Sequence, residues 1–261
     1  MTLPNSFLQS LITRIDDPNV AAITYAGSYA RGQAGTHSDV DLQVYVRTMP
    51  ESEYERYTLC YWDGYLVSLS TNTIEAERAN LLHPEHALWA VPGLRQAVIL
   101  LDKEGSLASL KQAAIEFNWF NLQSLADEYA VEQLMGYAEE VHKILNGLAR
   151  EQESTVLYAL LGLFKGLARA VAVQRGLLME SENRFFDVIQ DSVGRNTNWT
   201  RAFRLAVGAD PLPINQPSYR IRGAAALTLY LETAELFKNI ITDKHRMVIE
   251  VALHKIQQAG F

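Results

Sequence analysis

The stretch of sequence that decides the fold is Ala26-Gly27-Ser28-Tyr29-Ala30-Arg31-Gly32-Gln33-Ala34-Gly35-Thr36-His37-Ser38-Asp39-Val40-Asp41-Leu42. It joins two segments that have strand patterns. Residues 20–26 are apolar and β-branched, and residues 39–46 alternate between polar and apolar side chains, as in a half-buried strand. We therefore expect one strand that ends at Gly27-Ser28, a short helical turn, and a second strand that opens with Asp-x-Asp.

The alternation in the second strand predicts which of its side chains share a face. The apolar face would carry Val40, Leu42, Val44 and Val46, and the outward face Asp39, Asp41, Gln43 and Tyr45. Because Asp39 and Asp41 are two residues apart, both carboxylates project from one face and can share a hard divalent cation. Gly27 allows backbone amides to approach an anion, and the Ser28 hydroxyl can donate to a phosphate oxygen.

Two other glycine-containing loops do not fit this stretch. Gly27 and Gly32 have the spacing of a Walker-type phosphate loop, but Gln33 and Ala34 stand where that loop needs Lys and Ser or Thr. The dinucleotide fingerprint fails because position 29 is Tyr rather than Gly. A phosphate-binding serine beside metal-binding carboxylates instead suits nucleotidyl transfer, in which Mg²⁺ bridges the triphosphate and stabilises the charge on the leaving pyrophosphate.

Gly27-Ser28 and Ser38-Asp39-Val40-Asp41-Leu42, at this separation and between two strands, resemble the signature of the polymerase-β-like nucleotidyltransferase superfamily. The resemblance implies that Asp39 and Asp41 are catalytic and hold Mg²⁺. It also implies a set of nucleotide-binding residues: Gly27 and Ser28 on the β- and γ-phosphates, with Arg31 and Ser38 as further candidates. Separately from the resemblance, Lys165 shares a helix face with Arg169 in apolar surroundings and is a candidate for the triphosphate, with snorkelling to solvent as the alternative.

The superfamily commonly has a third carboxylate on a later strand, and here the sequence departs from the pattern. The matching strand, residues 66–70, carries Ser68 and Ser70 where an acid is expected. Either another acid acts as the general base, or the protein is slow or inactive in transfer. The candidate acids are Glu75, Glu77, Glu132, Glu139 and Glu140.

The remaining patterns predict an α+β protein of two domains. Residues 57–62 and 65–71, joined by Asp63-Gly64, read as a hairpin, and residues 95–101 as one more strand. After Ser106 long helical periodicities replace strand signals, at residues 125–148, 156–177, 223–241 and 245–258, with a long loop at 208–217. We predict a nucleotidyltransferase domain with a mixed β-sheet and helices at 1–115, and an α-helical bundle domain at 116–261.

Composition limits the partners and the compartment. Lys and Arg number 23 against 30 Asp and Glu, so the formal net charge is −7, which disfavours nucleic acid and suits a cationic substrate. Cys60 is the single cysteine, residues 1–6 have no signal-peptide pattern, and Lys165 and Arg169 interrupt the longest apolar stretch. We expect a cytoplasmic protein without a membrane partner.

The helical second half, with residues 156–177 followed by the polar turn 179–182, resembles the antibiotic nucleotidyltransferases that adenylylate aminoglycosides or lincosamides. This implies Mg²⁺-dependent transfer of AMP from ATP to a hydroxyl of a small, cationic acceptor, and so antibiotic resistance. Some relatives build their cleft from two subunits, so a homodimer is among the implied arrangements. Two alternatives stay open: a protein-modifying enzyme of the toxin–antitoxin type, and a catalytically weakened sensor of nucleotide.

Overall fold

The computed structural model describes residues 2–213 and 216–261. The chain divides into two compact units, one comprising residues 1–120 and 178–181, the other residues 121–177 and 182–261. The described strands all lie in the first unit, and the second is helical. The predicted α+β class is therefore confirmed. Ile214 and Asn215 of the predicted loop 208–217 lie outside the described residues.

The first unit is a five-stranded mixed sheet with helices. In chain order its elements are α1 (Asn5–Ile15), β1 (Val20–Tyr25), α2 (Gly27–Ala30), β2 (Val40–Val46), β3 (Tyr57–Trp62), β4 (Tyr65–Asn72), α3 (Ile74–Asn80), α4 (Pro84–Gln96), β5 (Val98–Asp102) and α5 (Ser106–Ile115). The strand order is β3-β4-β2-β1-β5. β2 and β4 are parallel, and the other neighbouring pairs are antiparallel.

Apolar residues of α1 hold one face of this sheet. Phe7 and Leu11 form a buried cluster with Val40, Leu42 and Val67 of the central strands, so the apolar face predicted for β2 is buried as expected. The predicted β3–β4 hairpin is confirmed as well. Asp63 and Gly64 have φ angles of 49° and 85°, the positive values that a tight hairpin turn requires.

The other face of β2 differs from the prediction. The strand begins at Val40, so Asp39 precedes it, and Tyr45, expected to face outward, is only 2% exposed. Tyr45 lies inside the sheet, paired with Ala22 and Asn72, and its burial, with the nearby charge of Glu77, raises the pKa of its hydroxyl. Alternation alone did not show that this face is buried at Tyr45.

Helix α4 also changes the boundaries that we predicted. It continues to Gln96, so the strand expected at 95–101 begins only at Val98. Arg95 belongs to the last turn of the helix, and its Nε donates to the carbonyl of Ala114 at 2.8 Å. This tertiary hydrogen bond connects α4 to α5 and has no signature in the local sequence.

The second unit contains seven α-helices among the residues described. They are α6 (Gln123–Gly136), α7 (Ala138–Ala149), α8 (Glu153–Gln174), α9 (Phe185–Val193), α10 (Asn198–Val207), α11 (Ser218–Phe237) and α12 (Asp243–Gln258). The single helix predicted at 125–148 is in fact two, separated at Tyr137. Gly136 is a weak helix former, and the Tyr137 ring fills the space beside Gly166 of α8, so a tertiary contact accompanies the break.

Helix α8 is the core helix of the second unit. It is long and apolar enough to cross a membrane by length and composition, but most of that apolar stretch is buried inside the protein. It packs against α6, α7 and α11. Its residues Leu163 and Leu167 are fully buried, so the hydrophobicity of the helix is used in packing.

The contact between Tyr137 and Gly166 gives a test of this packing. A Cβ atom at Gly166 would overlap the Tyr137 ring, whereas at Gly162, four residues earlier on the same helix, it would meet only Glu140 side-chain carbons at 3.9 Å. We expect Gly166→Ala to be less stable than Gly162→Ala by about 1–3 kcal/mol, the usual cost of overpacking.

Chemical denaturation of both variants measures this difference. Gly162→Ala controls for helix propensity, which alone stabilises by up to about 1 kcal/mol. Equal stability of the two variants would contradict the packing of Tyr137 on α8.

Candidate functional site

The end of β1 and the start of β2 bring Gly27 and Asp41 together. The amide of Ala26 donates to the carbonyl of Asp41 at 2.9 Å. A Cβ atom at Gly27 would lie 2.8 Å from Asp41 Cγ and closer still to Oδ2, so the Asp41 carboxylate lies directly against the Gly27 backbone. Gly27 also has a φ of +66°, a conformation that L-residues with a side chain adopt at a cost. Two independent constraints therefore require glycine here.

Three hydrogen bonds between residues close in sequence hold the loop between α2 and β2. The Gln33 amide donates to the Ser28 carbonyl at 2.9 Å. The Gly35 amide donates to Ser38 Oγ at 2.9 Å, and the Ser38 amide donates to the Gly35 carbonyl at 3.2 Å. Ser38 thus fixes the turn that precedes Asp39, which is a positioning role alongside the nucleotide contact predicted for it.

Asp39 and Asp41 are both half-buried, the first just before β2 and the second on it. Within residues 2–213 and 216–261, no three His, Cys, Asp or Glu side chains are grouped as metal ligands. Magnesium is often held by one or two carboxylates together with the phosphates of a substrate. Asp39 and Asp41 fit that kind of site, whereas a cage made of protein ligands alone does not fit.

The register of β4 identifies the side chain next to Asp41. Asp41 pairs with Ser68, and Gln43 pairs with Ser70, in the parallel β2–β4 ladder. Ser68 Oγ lies 3.4 Å from the Tyr57 hydroxyl of β3. Serine therefore occupies the strand position beside Asp41. The family resemblance had implied a third carboxylate on this strand.

Neither candidate acid of the first unit, Glu75 or Glu77, supplies a third carboxylate beside Asp41. Glu77 accepts hydrogen bonds from Asn72 at 2.8 Å and Asn80 at 3.2 Å. Asn72 lies four residues beyond Ser68 on β4, roughly 13 Å at the usual rise per residue. Glu75 is exposed on α3. The other candidates, Glu132, Glu139 and Glu140, belong to the second unit.

Arg31 has a structural role that the sequence did not indicate. Its Nη1 donates to Gln96 Oε1 at 3.0 Å and to the Glu180 carbonyl at 2.9 Å, and its Nε donates to Gln33 Oε1 at 3.1 Å. Nearby, the Met179 amide donates to the Leu88 carbonyl at 2.8 Å. Arg31 therefore connects the loop to α4 and to the returning segment 178–181, a contact across about 150 positions of sequence.

Lys165, also predicted to bind nucleotide, lies on α8 in the second unit. Its side chain is on an exposed face of that helix together with Arg169. Its assignment to the nucleotide stays a prediction.

Comparison with known proteins matches part of the first unit to a known domain. The nucleotidyltransferase domain family matches residues 8–88, which contain Gly27, Ser28, Asp39 and Asp41. Two relatives are the bifunctional uridylyltransferase/uridylyl-removing enzymes of Pseudomonas putida strains W619 and GB-1, each 27% identical over 214 residues and aligned to 72% of this chain. The alignment covers 22% of each relative, so this chain spans about a fifth of their length.

A solved structure is also similar to the whole chain. It is a nucleotidyltransferase-like protein from Exiguobacterium sibiricum 255-15, with 14% sequence identity and a TM-score of 0.49, over 96% of this chain and 78% of that one. The family match rests on the segment that builds the loop and the paired carboxylates. Residues 8–88 therefore match a nucleotidyltransferase domain, in line with the resemblance of their Gly-Ser and Asp-x-Asp motifs to the polymerase-β-like superfamily.

Proposed function

We propose that this protein transfers AMP from ATP, in a Mg²⁺-dependent reaction, to a hydroxyl group of a small cationic acceptor such as an aminoglycoside-like antibiotic. The observation that carries the proposal is the close approach of the Asp41 carboxylate to the Gly27 backbone. It puts a carboxylate oxygen, of the kind that binds Mg²⁺, beside a backbone position that carries no side chain.

The residues of the loop have separate parts in this reaction. Gly27 and Ser28 hold the β- and γ-phosphates, and Asp39 and Asp41 hold Mg²⁺, which when bound neutralises charge on the triphosphate. Ser38 and Arg31 keep the loop in shape through the hydrogen bonds described above. The acceptor hydroxyl loses its proton to solvent or to a general base, and its oxygen forms a bond to the α-phosphorus. The bond between the α-phosphorus and the oxygen that bridges to the β-phosphate breaks, and pyrophosphate leaves.

The nucleotide and the acceptor follow from different observations. AMP transfer is the expectation from the antibiotic enzymes, and UMP is the second candidate because the P. putida relatives are uridylyltransferases. A cationic acceptor is supported by the net charge of −7.

We further propose that residues 1–115 form the nucleotide-binding domain and residues 116–261 the helical domain. Lys165 is proposed as an exposed cation that binds phosphate. We also propose that the protein is cytoplasmic and forms a homodimer.

One observation favours a second function. Because Ser68 lies beside Asp41 where a third carboxylate is expected, the domain could bind nucleotide without turnover and act as a sensor. Modification of a protein tyrosine or serine is the remaining alternative. It is the one function that would leave the nucleotide attached to a protein side chain after the reaction.

The paired carboxylates provide the first test. Incubation with Mg²⁺, each of the four ribonucleoside triphosphates and a panel of aminoglycosides and lincosamides should give a nucleotide adduct on one acceptor, detected by mass spectrometry. We expect Asp39→Asn/Asp41→Asn to lower the rate at least about 100-fold, because even groups that only support metal ligands contribute 10- to 100-fold.

The matched control for charge is Glu51→Gln/Glu55→Gln, which removes two exposed carboxylates before β3. It should leave the rate unchanged. An adduct on protein side chains would identify the protein-modifying alternative. Nucleotide binding without any adduct would identify the sensor, and no nucleotide binding would contradict both.

Gly27 gives a second test, with a control of the same backbone conformation. Gly27 and Gly32 have φ angles of +66° and +70°, but a Cβ atom at Gly32 would meet nothing within 4 Å. Gly27→Ala and Gly32→Ala should both lose roughly 1–2 kcal/mol of stability from the left-handed backbone. Only Gly27→Ala also displaces the Asp41 carboxylate.

Isothermal titration with Mg²⁺ and a non-hydrolysable nucleoside triphosphate distinguishes the two effects. We expect Gly27→Ala to weaken binding of the Mg²⁺–nucleotide complex by at least about tenfold, because the displaced Asp41 carboxylate loses a charge-assisted contact. Gly32→Ala should bind the complex like the wild type. Equal affinities of the two variants would show that the approach of Asp41 to Gly27 is irrelevant to the ligand.

Ser68 gives a third test, which separates a slow enzyme from a sensor. Ser68→Asp adds a carboxylate beside Asp41, and like charges at that distance repel until a cation lies between them. We therefore expect Mg²⁺ to raise the melting temperature of Ser68→Asp more than that of the wild type. Transfer should increase by up to about 100-fold, the lower end of what a positioned general base contributes.

The control is Ser70→Asp, because Ser70 is on the same strand but pairs with Gln43. It should change neither the Mg²⁺ response nor the rate. A rate for Ser68→Asp at or below that of the wild type would show that the missing carboxylate does not limit transfer.

A further inference from the structure

One face of β3 carries three large, exposed side chains that the core does not use. Tyr57, Leu59 and Tyr61 alternate along the strand and are 55%, 54% and 74% exposed. The alternate residues Cys60 and Trp62 project to the opposite face, where they pack against the buried cluster of α1 and β2. We call Tyr57, Leu59 and Tyr61 the tyrosine face.

The position of the tyrosine face in the sheet indicates a binding surface. β3 is an edge strand, and proteins usually keep large apolar side chains away from exposed edges because such edges associate. An exposed apolar patch that is nevertheless present often marks a ligand or partner site.

Strand register places the tyrosine face beside the candidate site. Asp41 of β2 pairs with Ser68 of β4, and Ser68 pairs with Leu59 of β3. Paired residues of neighbouring strands project from the same face of a sheet, so these three side chains form one row. Because neighbouring strands are about 4.8 Å apart, the Cα atom of Leu59 lies roughly 10 Å from that of Asp41.

Tyr57 is directed towards the same row. Its strand partner on β4 is Ser70, but its hydroxyl lies 3.4 Å from Ser68 Oγ, within a hydrogen bond. The Tyr57 side chain therefore leans along β4 towards the residue next to Asp41. The tyrosine face and the paired carboxylates belong to one continuous surface.

The proposed reaction gives this side of Asp41 a role. Gly27 follows β1, which lies on one side of β2, whereas β4 and β3 lie on the other side. With Gly27 and Ser28 on the β- and γ-phosphates, pyrophosphate leaves on the β1 side. The attacking and leaving oxygens are roughly in line in such a displacement, so the acceptor approaches from the side of β4 and β3.

The side chains on this approach favour an acceptor with a large apolar surface. The tyrosine face and its neighbours Ser68 and Ser70 on β4 carry no charge. Tyrosine rings pack on the apolar faces of other rings and attract a single cation. Each ammonium group of a polycation would instead lose hydration here without gaining a carboxylate partner.

We propose that the tyrosine face binds the acceptor, and that this acceptor is amphipathic, with one ammonium group and an apolar body. The inference rests on the nucleotidyl transfer proposed above, and it narrows the acceptor from polycations of the aminoglycoside kind to molecules of the lincosamide kind. Tyr57 and Tyr61 are four residues apart, about 13 Å at the usual rise per residue, a span that suits a molecule of two rings.

The experiment measures binding, so its result does not depend on turnover. The full chain, with Mg²⁺ and a non-hydrolysable nucleoside triphosphate, is titrated with lincomycin and, separately, with the polycation neomycin. Calorimetry gives the affinities, and NMR of ¹³C-labelled tyrosine rings reports the site. We expect lincomycin to bind saturably and to shift the ring resonances of Tyr57 and Tyr61, and neomycin to leave both resonances unshifted.

Three variants at exposed positions test the residues. Tyr57→Ala/Tyr61→Ala should weaken lincomycin binding about tenfold or more, because it removes both rings. Tyr57→Phe/Tyr61→Phe keeps the rings and should bind within about threefold of the wild type. Tyr158→Ala is the matched control, because Tyr158 of α8 is 75% exposed, and it should bind lincomycin like the wild type.

Four results would overturn the proposal. They are the absence of lincomycin binding, binding that leaves the resonances of Tyr57 and Tyr61 unshifted, the same shifts with neomycin, and an equal loss of affinity in Tyr158→Ala and the double alanine variant.

Failure of the proposed reaction gives a different result. Lincomycin bound at the tyrosine face without any nucleotide adduct would contradict the reaction and leave the binding surface standing. A nucleotide adduct on lincomycin with the same KM in the wild type and in Tyr57→Ala/Tyr61→Ala would support the reaction and contradict the role of the tyrosine face.

Discussion

The approach of the Asp41 carboxylate to the backbone of Gly27 is the constraint on which the first unit depends. It requires β1 to end in a residue without a side chain, with a positive φ, directly beside the start of β2. The Ala26–Asp41 backbone hydrogen bond and the buried cluster under Val40 and Leu42 maintain that distance. The rest of the loop then returns the chain to Asp39 through the Gly35–Ser38 hydrogen bonds.

The site is asymmetric in a way that matters for its chemistry. Two half-buried carboxylates stand at one end of β2, and the neighbouring strand β4 offers hydroxyl groups rather than another acid. Glu77 of α3 is held by Asn72 and Asn80 toward the opposite end of β4. The proposed metal–nucleotide site therefore rests on two carboxylates of β2 and its preceding residue, with serine hydroxyls beside them on β4.

The second unit distributes its polar groups differently. Its core helix α8 is buried through leucines and through close contacts at Gly166, whereas the cavity lined by α6 and the start of α12 contains carboxylates and a buried histidine. A buried imidazole nitrogen without a hydrogen-bond partner, such as Nε2 of His245 among the described residues, is costly in a protein interior.

The sequence alone determined the parts of this protein that depend on local spacing. Gly27-Ser28, the Asp-x-Asp pair, the Asp63-Gly64 hairpin and the change from strands to helices after Ser106 were all predictable, because turn chemistry and side-chain periodicity act over a few residues. Only the tertiary structure decided what distant segments do to one another. Tyr45 is buried despite its polar-face position. Tyr137 divides a predicted helix where its ring packs on α8. Arg31 donates to a carbonyl 149 positions away, and Ser68 stands beside Asp41 through strand register. These features follow from contacts between segments whose pairing no local pattern encodes.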